Sequence, residues 1–420
     1  MTEFERVSID KLVHGGQGLG TLGDGRKVFV WNALPREQVG IRIIKKKRSY
    51  VEAIAEEIID ASTERIEPRE ANYLATSPWQ MMTFEAENRY KAAIVQELFE
   101  HEKVTIPSVS VATHTDNQWH YRNKMEYSFW GDDDGLHLAL YRRGSHGKQI
   151  VTGSKLAIPA IDTAANAVLK ELQNSGERAG NLKTVMVRAN QQGDAVASLF
   201  VKTKDFSEMS LPAGLKGLRI YFSNPKSPAA VPTKLLHELG DVHLTDTLLG
   251  KPYTYDVDSF FQVNVPIFER ALEAMKQYIN EPELTDMYAG VGSIGLSVAQ
   301  KSVDLVELDA ATAAMARINA EADGLQVRVI EASTEQALEY ITGDKPVVFD
   351  PPRAGLHAKV VERVLEVKPE KVIYLSCNPA THVRDIARLQ STYNIEHFEV
   401  FNFFPRTPHI ETLAVLRRKI

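Results

Sequence analysis

The chain has 420 residues, 44% of them hydrophobic and 25% charged, with a formal net charge of −6; this is a globular balance in a chain too long for one core, so two or three domains are expected. No apolar run approaches the ~18 residues of a membrane span, and Met1-Thr2-Glu3-Phe4-Glu5-Arg6 lacks the basic-then-apolar order of a secretory signal. The single cysteine, Cys377, excludes an internal disulfide and a thiolate metal cage, which points to a reducing cytoplasm, and the net charge leaves any nucleic-acid reading to local basic patches.

Residues 1–60 read as a small β-barrel. His14-Gly15-Gly16-Gln17-Gly18-Leu19-Gly20 and Gly23-Asp24-Gly25 are turns, and 27–31 and 39–43 are short strands. Lys45-Lys46-Lys47-Arg48 follows, with Tyr50 close by. A basic edge on a small barrel suits a polyanion, although a charge run after a strand is more often only solvated. Residues 61–255 read as an α+β domain. An amphipathic helix is expected over 84–101, packed on the C-terminal section, with a hairpin over 121–141 and its turn at 131–135, a helix over 161–172, and strands at 185–187 and 196–201. From 256 to 420 strands alternate with helices: strands at 283–287, 303–308, 326–330, 347–349, 371–375, 395–401 and 411–416, with a helix over 310–322. That alternation is the mark of a parallel, doubly wound α/β sheet.

Three features of this last section carry chemistry. Ala289-Gly290-Val291-Gly292-Ser293-Ile294-Gly295 follows a strand and opens a helix, and Glu307 ends the next strand. Glycines there let the backbone approach a ligand, and the acid can take a ribose diol, so an adenosine-containing cofactor is expected. Asp350-Pro351-Pro352-Arg353 makes a rigid lip that holds Asp350 beside that cofactor, and Arg353 suits an anionic partner. Cys377, in Ser376-Cys377-Asn378-Pro379, falls just past a strand, where open α/β sheets place their ligands. Glu411 opens the final strand after Phe404-Pro405-Arg406-Thr407-Pro408-His409-Ile410. Taken alone, Glu411 and His409 are ordinary structural residues.

One reaction uses all of these groups. A thiolate adding to uracil C6 makes C5 nucleophilic enough to take a methyl group from a sulfonium, and a base must then remove the C5 proton. The target base must also leave the stack of a structured RNA.

On these motifs, together with Phe260-Phe261-Gln262-Val263-Asn264 and Asp286-Met287-Tyr288, the sequence resembles the RNA 5-methyluridine (uracil-C5) methyltransferase family, which acts on ribosomal and transfer RNA. The resemblance covers nearly the whole chain. It implies a class I methyltransferase sheet preceded by a TRAM-type barrel, with Cys377 as nucleophile and Glu411 as base. Gln262, Tyr288, Ser293, Glu307 and Asp350 match the family's S-adenosylmethionine contacts, with Ser293 standing where relatives often have Asn. Tyr121-Arg122-Asn123-Lys124 looks like a central-domain strand that touches RNA. Several relatives carry an iron–sulfur cluster just after the barrel; here that region, including Tyr73 and Ser77-Pro78-Trp79-Gln80, has no thiolate, so no cluster is expected and packing of Tyr73 and Trp79 must replace it. The expected partner is structured RNA, ribosomal rather than transfer RNA, bound by a monomer. Cytosine-C5 methylation would call for a second cysteine; an RNA-binding protein with a vestigial catalytic domain is the reading from another class.

Overall fold

The computed structural model describes residues 4–107, 109–113, 118–207, 209–322 and 324–420. Strands Glu5–Leu12, Gly18–Thr21, Lys27–Trp31, Gln38–Lys46 and Tyr50–Asp60 close into a barrel. Alternate residues point inward, and Val7, Ile9, Val28, Val30, Val39, Ile41 and Val51 fill the interior. The basic run at its edge is partly neutralised, since Lys45 pairs with Glu52 at 3.4 Å. Gly15 and Gly16 hold positive φ of 98° and 96° in the turn after the first strand. In that turn Gly16 lies against Pro408: a Cβ there would fall 2.3 Å from the Pro408 Cβ.

The segment after the barrel is fixed by side chains. Tyr73 donates its hydroxyl to Asn32 Oδ1 at 2.6 Å. Trp79 is fully buried and donates its indole N–H to the Gly16 carbonyl at 3.0 Å. Both aromatics expected to organise this segment therefore tie it to the barrel. Among the described residues no group of His, Cys, Asp or Glu is arranged to hold a metal ion, and no helix is long and apolar enough to cross a membrane.

A seven-stranded mixed sheet follows, with the hairpin Lys124–Asp132/Gly135–Tyr141 near one edge. Helix Pro159–Asn174 covers one face, burying Ile161, Ala165, Val168 and Leu172 against Tyr127, Val185 and Leu199. The hairpin His243–Leu248/Lys251–Asp256 belongs to a different core: Leu244, Tyr253 and Tyr255 pack with Phe268, Leu296 and Leu305. Helix Phe84–His101 also departs from its sequence neighbours. Its Ile94, Val95 and Phe99 pack with Tyr374, Val383 and Phe398 of the C-terminal section.

The C-terminal sheet has eight strands in the order Gln326–Glu331, Ser302–Glu307, Glu283–Asp286, Val347–Phe349, Lys371–Ser376, Glu411–Arg418, Tyr393–Phe401 and Val111–Ala112. The first five are parallel, and the central strands Val347–Phe349 and Lys371–Ser376 are buried on both faces along their whole length. The chain reverses direction across the sheet between Glu283–Asp286 and Val347–Phe349, and ligands bind at such a switch point, beyond the carboxyl ends of the strands. The last strand is antiparallel and inserts beside Lys371–Ser376, with Ser376 opposite Thr412. Its first residue, Glu411, therefore stands at the carboxyl edge of the parallel strands, next to where Cys377 leaves its own strand.

Candidate active site

Backbone geometry at the glycine turn brings the chain close to the switch point. Gly290 and Gly292 have φ of 57° and 86°, in the left-handed region that other residues avoid. The Gly290 N–H donates to Glu307 Oε2 at 2.9 Å, and the Asp309 N–H donates to Glu307 Oε1 at 2.8 Å. Glu307 thus locks the turn to the end of the next strand while lining the cavity above it. Beneath the turn Asp286 is fully buried and accepts the Gly295 N–H at 2.9 Å. Its other oxygen has no hydrogen-bond partner among the described residues, and burial pushes its carboxyl up to about 7.

The cavity measures about 1540 Å³, above the roughly 300–1,000 Å³ of an ordinary small-molecule pocket. It has room for a cofactor and a nucleotide side by side. Gln262, Tyr288, Glu307, Asp350, Cys377 and Glu411 all line it. The structure does not bring Ser293 to this wall: at the glycine turn it is Gly290, through a backbone without a side chain, that borders the cavity. Phe260 and Leu308 are 62% and 68% exposed on the cavity wall, two large apolar surfaces that a flat ring can cover.

Asp286, Asp350 and Glu411 lie near one another here, and none of these three has a salt-bridge partner among the described residues. Asp350 meets only the Gln262 amide, at 3.5 Å, and burial together with the Asp286 charge pushes it up to about 7. Glu411 is 2% exposed, and its Oε1 has no hydrogen-bond partner. Burial, then the Asp350 charge, raises its carboxyl well above the usual range. Burial also pushes the Cys377 thiol up to about 12, and the Glu411 and Asp350 charges add to the shift. Buried carboxyls without cations are costly. The arrangement fits a ligand that carries its own positive charge.

Arg353 is exposed at the mouth, with no carboxylate within salt-bridge distance among the described residues; its Nη2 meets His409 Nδ1 at 3.3 Å. An unpaired guanidinium at the mouth suits the anionic partner expected for it. Burial, reinforced by Arg353, pushes His409 down to about 3, so this imidazole is neutral.

The loop that carries His409 and leads into Glu411 is held from below. Lys91 and Glu87, both fully buried on helix Phe84–His101, pair at 3.0 Å. Lys91 Nζ donates to Asn402 Oδ1 at 2.6 Å and to the Phe404 carbonyl at 3.1 Å, while Glu87 accepts the Arg406 N–H at 3.0 Å. Removing one partner leaves a buried charge uncompensated, at roughly 3–5 kcal/mol. Lys91→Met should therefore destabilise the protein by about that amount in denaturant titration, and adding Glu87→Gln should recover part of the loss. Equal stability of Lys91→Met and the wild type would show that the pair does not hold this loop.

Two residues of the segment expected to touch RNA turn inward, while Arg122 and Lys124 stay half-buried. The strand begins at Lys124, and Tyr121 and Asn123 are buried. Tyr121 donates its hydroxyl to the Pro405 carbonyl at 2.9 Å, and Asn123 Nδ2 donates to the Gln262 carbonyl at 2.8 Å. These two residues position the cavity's own segments. Sequence reasoning also missed Arg219, of the central section, and Asp256 and Asp258, just past its end, which reach the cavity; Arg219 pairs with Asp256 at 2.6 Å and with Asp258 at 3.0 Å. No local signal marked them. Leu308 did have one: an apolar residue directly after the acid that ends a strand.

Comparison with known proteins agrees with this geometry. The family described as tRNA (uracil-5-)-methyltransferase matches residues 84–419. The chain is 28% identical to an uncharacterized RNA methyltransferase of Enterococcus faecalis, over 99% of this chain and 97% of the relative. It is 30% identical to one from Lactiplantibacillus plantarum, over 98% of this chain and 97% of the relative. Among solved structures, that of Pyrococcus abyssi tRNA (uracil-54, C5)-methyltransferase in complex with S-adenosyl-L-homocysteine superposes with a TM-score of 0.78 at 20% identity, over 98% of this chain and all of that one. That likeness gives the fold, the class I methyltransferase sheet with its N-terminal barrel.

Proposed function

This chain belongs to the tRNA (uracil-5-)-methyltransferase family, and from that membership we propose that it methylates C5 of a uridine in structured RNA through a covalent bond between Cys377 and C6. One observation carries the mechanism: the antiparallel last strand sets Glu411 beside Cys377, with Asp350 on the same cavity wall. S-adenosylmethionine supplies the methyl group. The cavity-lining Gln262, Tyr288, Glu307 and Asp350 hold it, and the unpaired carboxyls suit its cationic end. Phe260 offers a face on which a flipped base can stack. The Cys377 thiolate adds to C6, and the electron pair pushed onto C5 takes the methyl group as the S–CH3 bond of the sulfonium breaks, its electron pair staying on the sulfur of the departing thioether, S-adenosylhomocysteine. Glu411 then removes the C5 proton, and the C5=C6 bond re-forms as the C6–S bond breaks.

We place the reaction in the cytoplasm, where the thiol stays reduced, and expect a monomer bound to ribosomal RNA through the barrel and the central section. Transfer RNA is the second reading, favoured by the family's description and by the substrate of the Pyrococcus abyssi protein. Mass-spectrometric mapping of 5-methyluridine in RNA from cells lacking the protein decides between them. Methyl groups found on cytosine, or on another uridine atom, would end the proposal.

Cofactor binding should depend on pH through Asp350. Its carboxyl is pushed up to about 7 in the free protein, and a bound cation must lower that value. Binding therefore releases protons, and affinity falls as pH drops through about 7. Calorimetry across this range should show weakening below neutrality, with proton release into the buffer. In Asp350→Asn the slope should flatten to the remainder that Asp286 supplies. An unchanged slope in that variant would show that Asp350 does not face the cation.

A further inference from the structure

One buried imidazole has no part in the chemistry above. His382 lies on helix Pro379–Leu389, which opens just after Cys377, and it is fully buried. Three aromatic rings lie beside it: Tyr374 at 4.2 Å between centroids, Phe398 at 6.3 Å and Phe99 at 6.4 Å. Its Nε2 has no hydrogen-bond partner among the described residues. Its Nδ1 meets Thr412 Oγ1 at 2.7 Å, and Thr412 Oγ1 donates to the Ser376 carbonyl at 3.3 Å. The hydroxyl has a single hydrogen and gives it to that carbonyl, which assigns Nδ1 as the donor to Thr412. Burial pushes the imidazole down to about 3, so it is neutral. An apolar side chain would fill this aromatic pocket without burying a ring nitrogen that has no partner. What a histidine adds there is the bond to Thr412.

That bond falls at a sensitive place. Ser376 and Thr412 are the last registered pair of their two strands. Cys377 follows Ser376 and Glu411 precedes Thr412, so this pair is the final tie before the two reacting side chains. The same helix grips the third catalytic segment. Asn378 Nδ2 donates to the Arg353 carbonyl at 2.9 Å, Thr381 Oγ1 donates to the same carbonyl at 3.2 Å, and Asp385 Oδ2 accepts the Leu356 N–H at 2.8 Å. Helix Pro379–Leu389 and its cap thus hold the lip after Asp350 and, through His382, the start of the last strand.

We infer that His382 is a positioning residue of the reaction: through the Thr412 hydroxyl it pins the start of the last strand to the end of Lys371–Ser376 and so fixes Glu411 relative to Cys377. The catalytic consequence rests on the proposed reaction, whereas the His382–Thr412 coupling can be read without it. Small displacements of reacting groups are costly, so a loosened clamp slows bond formation once RNA is bound and leaves RNA affinity alone. It also relieves part of the burial that keeps the Cys377 thiol protonated.

The experiment uses the full chain as wild type, His382→Leu, Thr412→Val, Thr412→Ser and the His382→Leu/Thr412→Val pair. For each, RNA affinity, methyl-transfer kcat, melting temperature and the alkylation rate of Cys377 by iodoacetamide are measured. His382→Leu and Thr412→Val should each lower kcat about ten- to hundredfold, with RNA affinity unchanged and alkylation faster. Thr412→Ser keeps the hydroxyl and should retain most of the rate. The pair replaces both partners by apolar groups, so it should melt close to the wild type and be no slower than either single variant, with alkylation likewise non-additive. Should His382→Leu fail to fold, the contrast between Thr412→Val and Thr412→Ser decides alone. Intact kcat in Thr412→Val, equal losses in Thr412→Val and Thr412→Ser, or additive effects in the pair would overturn the inference. A wild type that leaves uridine C5 unmethylated would instead defeat the proposed function, and the alkylation rates would still decide whether His382 acts through Thr412.

Discussion

Cys377→Ala should abolish methyl transfer, with a loss on the order of 10⁴–10⁶ in kcat, the range seen when a covalent nucleophile is removed. The adduct is the sharper readout. RNA carrying 5-fluorouridine should trap the wild type covalently, since fluorine leaves no C5 proton to remove, and the alanine variant should form no adduct. A persistent adduct would place the covalent bond elsewhere, in a chain that has no second cysteine. The same thiol should report the cofactor. In the free protein burial and the Glu411 and Asp350 charges push it up to about 12, so its alkylation near pH 8 should be slow. A sulfonium beside it lowers that value, because a positive charge favours the thiolate. S-adenosylmethionine should therefore speed alkylation of Cys377, and S-adenosylhomocysteine, which lacks the charge at sulfur, should do so much less.

The parts of this site visible in the sequence are those written locally. A glycine turn between a strand and a helix, an acid closing the next strand, and a cysteine and a proline lip just past apolar runs are each short-range patterns. Their neighbours in space are not. The apolar run in 411–416 announces a strand but not its direction. Only the antiparallel pairing of Ser376 with Thr412 brings Glu411 to Cys377. Helix Phe84–His101 read correctly as a helix, yet its pair Glu87–Lys91 acts more than 300 residues away, on Asn402 and Arg406. Tyr121 and Asn123 looked like part of an alternating surface strand because the strand that follows does alternate. Their burial follows from the cavity segments that settle on them. Gly16 was visible only as punctuation, since a glycine-rich turn says nothing about what it will touch. Ser293 was assigned by motif position, and in the turn the backbone conformation of its glycines matters more than the side chain between them.

Glu411→Gln separates the two halves of the proposed reaction. Glutamine fills the same volume but cannot accept the C5 proton, so addition of Cys377 and methyl transfer should proceed while release should not. Ordinary uridine RNA should then accumulate as a methylated covalent complex that survives denaturing electrophoresis, with turnover down about 10²–10⁴-fold, the usual contribution of a general base. Loss of fold is the rival explanation, and pH separates the two. Burial and the Asp350 charge raise the Glu411 carboxyl well above its ordinary value of 4.5 in the folded protein. The unfolded chain therefore gives up this proton first, and the folded state loses stability as pH rises from about 4.5 through the raised value. Glutamine escapes that loss. Glu411→Gln should melt at least as high as the wild type at pH 8, with the difference shrinking towards pH 4.5. A variant that stalls as an adduct while standing firmer to heat has lost a base, because a carboxylate needed for structure would have taken the fold with it. Wild-type turnover in Glu411→Gln would remove the residue from the chemistry.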